Sequence, residues 1–126
     1  MSDLKQVILI RRDLRLKRAA VAAMAAKASC EFLLDNDDSE RGDALQVKLT
    51  RQEAEWLRGS GTRIILGVSS EETLRGLMFK AEVAGLNCNT ITRNREDEDY
   101  EETLCGAIGP DESDRIDEIT GNLKLI

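Results

Sequence analysis

The chain has 126 residues, which suits one domain and leaves no room for two cores of ordinary size, so we predict a single domain over residues 1–126. Its 41% hydrophobic and 33% charged residues exclude a disordered chain. No apolar run is long enough to cross a bilayer, and the first strand-like run is not followed by the cleavage site of a secretory signal. Because we find neither a spanning segment nor a signal, we expect a cytoplasmic protein. The net charge is −6, and without histidine, the commonest metal ligand, we expect no metal and no cofactor.

The first half of the chain predicts a strand, a long helix and a short helix. Gln6–Arg11 is a nearly continuous apolar run, as expected for a strand buried on both faces. The polar stretch Asp35–Asp43 predicts a surface loop, and Thr50 followed by Glu53 is a capping box that starts the short helix. Between the strand and the surface loop, the alanine-rich segment Leu16–Leu34 predicts the long helix. Its apolar positions recur at helical spacing: Leu16, Ala20, Ala23, Ala26 and Cys30.

The second half alternates strands and helices. In chain order we predict a strand Thr62–Val68, a helix from Ser69 or Ser70 to Ala84, a strand Asn87–Thr92, a charged loop Arg93–Glu102, a strand Thr103–Ile108 closed by Gly109-Pro110, a helix Glu112–Ile119 and a short final strand Asn122–Ile126. This alternation is typical of a layered α/β domain around a largely internal sheet.

Charge is unevenly distributed. Residues 1–30 carry seven basic and two acidic side chains, a net charge of +5, so the remainder carries −11. A basic segment on an acidic protein predicts either an anion or phosphate site or simply a solvated helix start.

The three cysteines, Cys30, Cys88 and Cys105, are far apart in sequence. Their odd number argues against a disulfide framework and favours a reducing compartment. With no histidine to activate a thiolate, we interpret all three as buried structural thiols rather than nucleophiles.

Three segments in order carry family motifs. They are KQVILIRRDL at Lys5–Leu14, SSEETLRGLMFKAEVAGL at Ser69–Leu86 and AIGPDESDRIDEITGNLKLI at Ala107–Ile126. Together they resemble the type 2 peptidyl-tRNA hydrolases over nearly the whole chain, with a small deletion near residues 93–102. The resemblance implies an α/β fold, a three-layer sandwich around a four-stranded mixed β-sheet that often forms a homodimer. It also implies metal-independent hydrolysis of the ester that joins a peptide to the terminal ribose of tRNA.

The resemblance places the family's reactive positions on unreactive side chains. The family's lysine falls on Ala20, its glutamine on Met24, its histidine on Lys27 and the aspartate of its loop on Arg93. A methyl group and a thioether cannot carry a proton, and arginine stays protonated, so we predict no catalytic role for Ala20, Met24 or Arg93. Arg93 is expected either to pair with the acidic run Glu96–Asp99 or to bind a phosphate or carboxylate.

Three functions are compatible with these residues. In the first, the chain has lost hydrolysis and keeps a surface for the tRNA acceptor end or for a protein partner. Phosphate contacts would then come from Arg11, Arg12, Arg15, Lys17, Arg18 and Lys27.

In the second function, the chain is an active hydrolase with relocated groups, for which Lys27 and Asp13 are candidates. In the third, it is a protein-interaction domain without a nucleic-acid role, whose acidic loops Asp35–Glu40 and Glu96–Glu102 meet a basic partner.

Overall fold

The computed structural model describes residues 3–40, 42–94 and 99–126. Its elements in chain order are β1 Leu4–Arg11, a 3-10 helix Arg12–Leu14, α1 Arg18–Asp35, α2 Arg51–Arg58, β2 Arg63–Val68, α3 Glu71–Val83, β3 Cys88–Asn94, β4 Glu101–Glu112 and α4 Ser113–Thr120. None of the helices in these ranges has the length and apolar character needed to cross a membrane.

The four strands form one mixed sheet in the order β2-β1-β4-β3. β1 runs parallel to β2, whereas β4 is antiparallel to both β1 and β3. β1 is therefore internal, which explains why its apolar run is nearly continuous rather than alternating.

Helices cover both faces of the sheet. On one face Ala25 and Ala28 of α1 pack with Ile8 and Ile10 of β1. On the other face α3 and α4 pack their apolar side chains on the remaining side chains of β1; these residues include Val7, Leu9, Leu74, Met78, Ala81 and Ile116. The four-stranded mixed sheet between helices confirms the predicted fold class.

α2 begins and packs as predicted. Thr50 Oγ1 accepts a hydrogen bond from the Glu53 amide while the Glu53 carboxylate accepts one from the Thr50 amide, which completes the capping box. Trp56 is 2% exposed, lies edge-on to Phe32 with ring centroids 6.0 Å apart, and donates its indole N–H to the Thr62 carbonyl at 3.0 Å. Trp56 therefore anchors α2 against α1.

The prediction that Gly109-Pro110 closes the strand Thr103–Ile108 is wrong. β4 continues to Glu112, and Gly109 and Pro110 together stand opposite Gln6, where the β1–β4 register shifts. Such a bulge accommodates a residue that has no amide hydrogen for the ladder. Gly109 has a φ of 99°, a backbone conformation that favours glycine.

Two further expectations need correction. The segment predicted as a loop at 93–102 contributes residues to both flanking strands, because β3 reaches Asn94 and β4 begins at Glu101; residues 95–98 lie outside the described part. The predicted final strand reduces to one isolated bridge between Leu66 and Leu125.

The apolar positions that predicted α1 are not the ones that the helix buries. The helix buries Ala25, Ala28, Ser29 and Phe32, whereas Cys30 is exposed. In an alanine-rich helix most faces are similarly apolar, so spacing alone does not identify the face that meets the sheet.

Candidate functional site

The candidate site lies at one end of the sheet, where β1 and β3 end and β4 begins. Arg93 near the end of β3 is the register partner of Glu102 at the start of β4. After β1 the chain turns through the 3-10 helix and enters α1, whose N-terminal half lies over this end of the sheet. The topology therefore brings the N-terminal half of α1 and the end of β3 to the same region.

Four charged side chains form an ion-pair network at this end. Glu102 accepts from Arg11 at 3.1 Å and pairs with Arg93, and Arg11 also pairs with Asp13 at 2.6 Å. Arg11 further donates to the carbonyl of Thr103 at 3.1 Å. The network joins the ends of three strands.

Burial makes the Arg11–Glu102 pair the centre of this network. The two side chains are 7% and 3% exposed. The hydrogen bond to Asp13 is the largest cause of the raised pKa of Arg11, and the same bond lowers the pKa of Asp13 below its ordinary value. Arg11 is therefore held by carboxylates inside the fold, and we remove it from the predicted phosphate contacts because its guanidinium has little exposed surface.

Arg93 pairs with Glu102 on the neighbouring strand β4. Its predicted pairing with the acidic run Glu96–Asp99 stays a prediction, because residues 96–98 lie outside the described part. Its side chain is 53% exposed, so one side of the guanidinium still faces solvent.

Three residues of α1 with helical spacing follow one stripe. Ala20 and Lys27 are exposed, and Met24 is half-buried and packs against the same apolar cluster as Ile91 of β3. Arg93 lies two residues beyond Ile91, which places it near this stripe. The side chains offered here are a methyl group, a thioether and two cations, a set suited to binding an anion and poorly suited to removing a proton from water.

Asp13, named as a relocated catalytic candidate, is engaged with Arg11 through both carboxylate oxygens, at 3.1 and 2.6 Å. Its lowered pKa keeps it ionised, which weakens it as a general base near neutral pH. In this arrangement Asp13 orients Arg11 at the end of β1.

A second polar cluster, which the sequence did not indicate, lies beside the network. The Glu71 carboxylate at the start of α3 accepts from the hydroxyl of Tyr100 and from the Thr103 amide, the latter at 2.7 Å. These two hydrogen bonds lower the pKa of Glu71, with that from Tyr100 the larger cause. Arg75 lies over the Tyr100 ring, 5.2 Å from its centroid. The segment that enters β4 is thereby fixed to α3.

The other predicted tRNA contacts are exposed. Arg12, Arg15, Lys17 and Arg18 follow one another through the 3-10 helix and into α1, and all four are exposed. Together with Lys27, near the middle of α1, they are the exposed predicted contacts, and we refer to these five side chains as the cationic surface.

The three cysteines differ in burial. The expectation that Cys30 is buried is wrong, whereas Cys88 is half-buried and Cys105 is fully buried. Burial raises the pKa of Cys105 to about 12, so this thiol stays protonated near neutral pH.

Comparison with known proteins identifies the family. The family model described as "Peptidyl-tRNA hydrolase PTH2" matches residues 4–126. A protein of Methanocaldococcus jannaschii named peptidyl-tRNA hydrolase is 33% identical over 98% of this chain and 100% of its own length. Proteins with the same name from Haloquadratum walsbyi and Metallosphaera sedula are 34% and 31% identical, over 97% and 98% of this chain and 99% and 100% of their own lengths. The chain therefore belongs to the peptidyl-tRNA hydrolase PTH2 family.

Proposed function

We propose that this chain binds the acceptor end of peptidyl-tRNA and cleaves its ester bond slowly or not at all. The observation that carries the proposal is the stripe on α1 formed by the exposed Ala20, the half-buried Met24 and the exposed Lys27. The resemblance to the family assigns its lysine and glutamine to positions 20 and 24. Cationic binding groups are present there, and groups for general base catalysis are not.

The chemistry of ester hydrolysis supports the absence of efficient turnover. The reaction needs a group that takes a proton from water and donors for the developing oxyanion, and losing one such group costs about 10²–10⁴ in rate. Arg93 is held by Glu102, so it stays a fixed cation at the position of the loop aspartate.

Binding of tRNA is supported by the cationic surface of α1. Phosphate contacts through exposed lysine and arginine side chains give an affinity that falls steeply as salt rises. We therefore expect binding to tRNA at low ionic strength, measured by filter binding or fluorescence anisotropy. Absence of binding there would contradict the proposal and would favour the protein-interaction domain.

A matched pair of variants separates specific from general charge effects. Lys17→Ala with Arg18→Ala removes two cations from the cationic surface, whereas Arg51→Ala with Arg58→Ala removes two exposed cations from α2. The first variant is expected to lower the slope of log affinity against log salt by about 2 and the control to leave it unchanged. Equal effects would show that only net charge matters.

Hydrolysis is tested with a labelled peptidyl-tRNA beside a family member that keeps the lysine, glutamine and aspartate. Turnover within about tenfold of that enzyme would overturn the proposed loss of activity. A second candidate function is that of an active hydrolase that uses relocated groups. The names of the relatives favour it.

Restoring the family's groups gives the reverse test. The combined variant Ala20→Lys, Met24→Gln, Lys27→His and Arg93→Asp is expected to gain hydrolysis. Because Arg93→Asp sets a carboxylate against Glu102, the matched control keeps Arg93 and carries the other three changes. If neither variant gains activity, the substituted side chains are not the reason for slow turnover.

The homodimer and the cytoplasmic location remain predictions. Light scattering coupled to size-exclusion chromatography measures the first directly, and a monomer at micromolar concentration would contradict it.

A further inference from the structure

The two outer strands of the sheet, β2 and β3, differ in what covers them. The C-terminal tail covers the outer edge of β2. The Gly67 amide donates to the Lys124 carbonyl at 3.0 Å, and the Ile126 amide donates to the Ile65 carbonyl at 3.2 Å. In the part of the chain that the structure describes, no strand pairs with the outer edge of β3. We refer to this edge of β3 as the open edge.

Every second residue of β3 turns its backbone amide and carbonyl to the open edge. The Gly109 amide donates to the Asn87 carbonyl at 2.7 Å, so Asn87 faces β4. In an antiparallel pair, residues that face the neighbouring strand alternate with residues that face away from it. Cys88, Thr90 and Thr92 therefore present their amides and carbonyls outward. The residues from Cys88 to Thr92 include neither a charge nor a proline, which are features that commonly keep such an edge from pairing.

The side chains of α3 beside the open edge change from cationic to acidic. A groove of about 770 Å³ lies over this edge, between α3 and the C-terminal end of α1. Arg75 donates at 3.3 Å to Oγ1 of Thr103, the register partner of Thr92. Further along α3, the carboxylate of Glu82 lies near Cys88; burial is the largest cause of the raised pKa of that thiol, and Glu82 raises it further. The cation thus stands beside the end of β3, and the carboxylate stands beside its start.

The face of the sheet that α1 covers repeats this order of charges. Arg93 lies at the end of β3 with 53% of its side chain exposed. The exposed Asp35, the last residue of α1, lies near Cys88 and also contributes to the raised pKa of that thiol. Within the described residues, Asp35 and Glu82 form no ion pair. Each end of the open edge therefore carries charges of one sign, and the two ends carry opposite signs.

Phe79 of α3 lies between the two charged ends. Met78 packs directly against Gly106, the register partner of Thr90, so the neighbouring Phe79 stands level with the middle of the edge. Phe79 lines the groove and is 66% exposed. An aromatic side chain at the centre and charged groups at the rim are typical of protein–protein interfaces.

We propose that a second copy of this chain docks on the open edge and pairs its β3 antiparallel to β3 about Thr90, which joins the two four-stranded sheets. A two-fold axis at Thr90 sets each end of the edge against the opposite end in the other copy. Arg75 then meets the partner's Glu82, Arg93 approaches the partner's Asp35, and the two Phe79 rings meet at the axis. This order of charges is complementary to itself, which favours a second copy over a different protein. The pairing assigns an interface to the predicted homodimer and does not rest on tRNA binding.

Two variants test the interface through the dissociation constant of the dimer, measured by light scattering over a dilution series. Thr90→Pro removes an outward amide and leaves the hydrogen bonds to β4 in place. Phe79→Asp sets two like charges at the axis. Each change is expected to weaken the dimer by about thirtyfold or more, as the loss of a central interface residue does.

Matched controls separate the open edge from general effects. Thr90→Ala keeps the outward amide. Leu125→Asp introduces the same charge at an apolar residue that is 69% exposed, beside the opposite edge of the sheet. Both controls are expected to leave the dissociation constant within about threefold of the parent. Circular dichroism checks the fold, and Phe79→Asp, at an exposed helix position, decides the test if proline disturbs the strand.

Mixing two oppositely charged variants tests the order of charges. Glu82→Arg alone sets two cations together across the interface, and Arg75→Glu alone sets two carboxylates together. In an equal mixture, a pair made of one copy of each regains opposite charges at both contacts. Native mass spectrometry is expected to show more of this mixed dimer than random pairing gives.

The outcomes separate the interface from the homodimer itself. A dimer that survives Phe79→Asp with its dissociation constant unchanged would place the homodimer on another surface and overturn the proposal, as would a mixed dimer at or below the random share. A monomeric parent at micromolar concentration would overturn both the interface and the homodimer, and would leave the open edge to a strand of a different protein. The proposed binding of tRNA stands or falls separately from all of these results.

Discussion

In α1 the C-terminal half is fixed to the rest of the fold, whereas the N-terminal half is mostly exposed. Phe32 is buried against Trp56, and Ser29 donates to the Gln6 side chain at 2.6 Å while accepting from Arg63 at 2.7 Å. In the first half Ala20 is exposed, and the strand ends beneath are joined by ion pairs that involve no α1 side chain.

The difference explains where the sequence could change. Ala20 and Lys27 of α1 are exposed, so a change there disturbs little packing, whereas Met24 is half-buried and packs against the cluster of Ile8 and Ile10. Changes at positions 20 and 27 therefore bear on chemistry at the surface more than on folding. If the comparison holds, changes in the two halves should differ strongly in their effect on stability.

The largest effect is expected for Phe32→Ala. Removing a buried aromatic ring that packs on Trp56 leaves a cavity between α1 and α2, and the free energy of unfolding should fall by about 3–5 kcal/mol. Urea denaturation followed by circular dichroism measures this. A loss below about 1 kcal/mol would mean that the C-terminal half is not an anchor.

The next largest loss of stability is expected at the strand ends that lie below the N-terminal half of α1. Glu102→Ala leaves the buried Arg11 with Asp13 as its remaining carboxylate, and we expect a loss of about 3 kcal/mol, the lower end of the range for a broken buried pair. The matched variant Arg93→Ala removes only the exposed ion pair between Arg93 and Glu102. The free energy of unfolding should then fall by about 1 kcal/mol or less. Equal losses would show that the sheet end depends on Arg93 as much as on Arg11.

The same contrast shows what the sequence could reveal. β1, α3 and the capping box of α2 follow local patterns of apolar spacing and capping, and the structure places them close to where those patterns predict. The pairing of Arg11 with Glu102 joins residues 91 positions apart, and no local pattern signals it. The bulge at Gly109-Pro110 was likewise hidden, because this dipeptide ordinarily predicts a turn.

A smaller effect with a distinctive pH dependence is expected at Glu71. Its pKa is below the ordinary value of 4.5 in the folded state because Tyr100 and the Thr103 amide donate to it, so its contribution to stability is present above pH 4.5 and is lost as the pH falls through the folded value. Glu71→Gln should therefore destabilise the protein near neutral pH, and the difference from the parent should shrink below pH 4.5. Unfolding curves at several pH values measure the difference in the free energy of unfolding between the two proteins. A difference that does not change with pH would contradict this account.

The smallest effect is expected for Ala20→Lys, which directly tests the exposed half of α1. Both residues are good helix formers and the position is exposed, so the free energy of unfolding should change by about 0.5 kcal/mol or less. The added cation lies near Lys17, and this repulsion should decrease in high salt. A loss of 2 kcal/mol or more would mean that Ala20 is kept for packing. The alanine at position 20 would then be explained by packing. The contrast between the two halves of α1 would no longer support the proposed loss of hydrolysis.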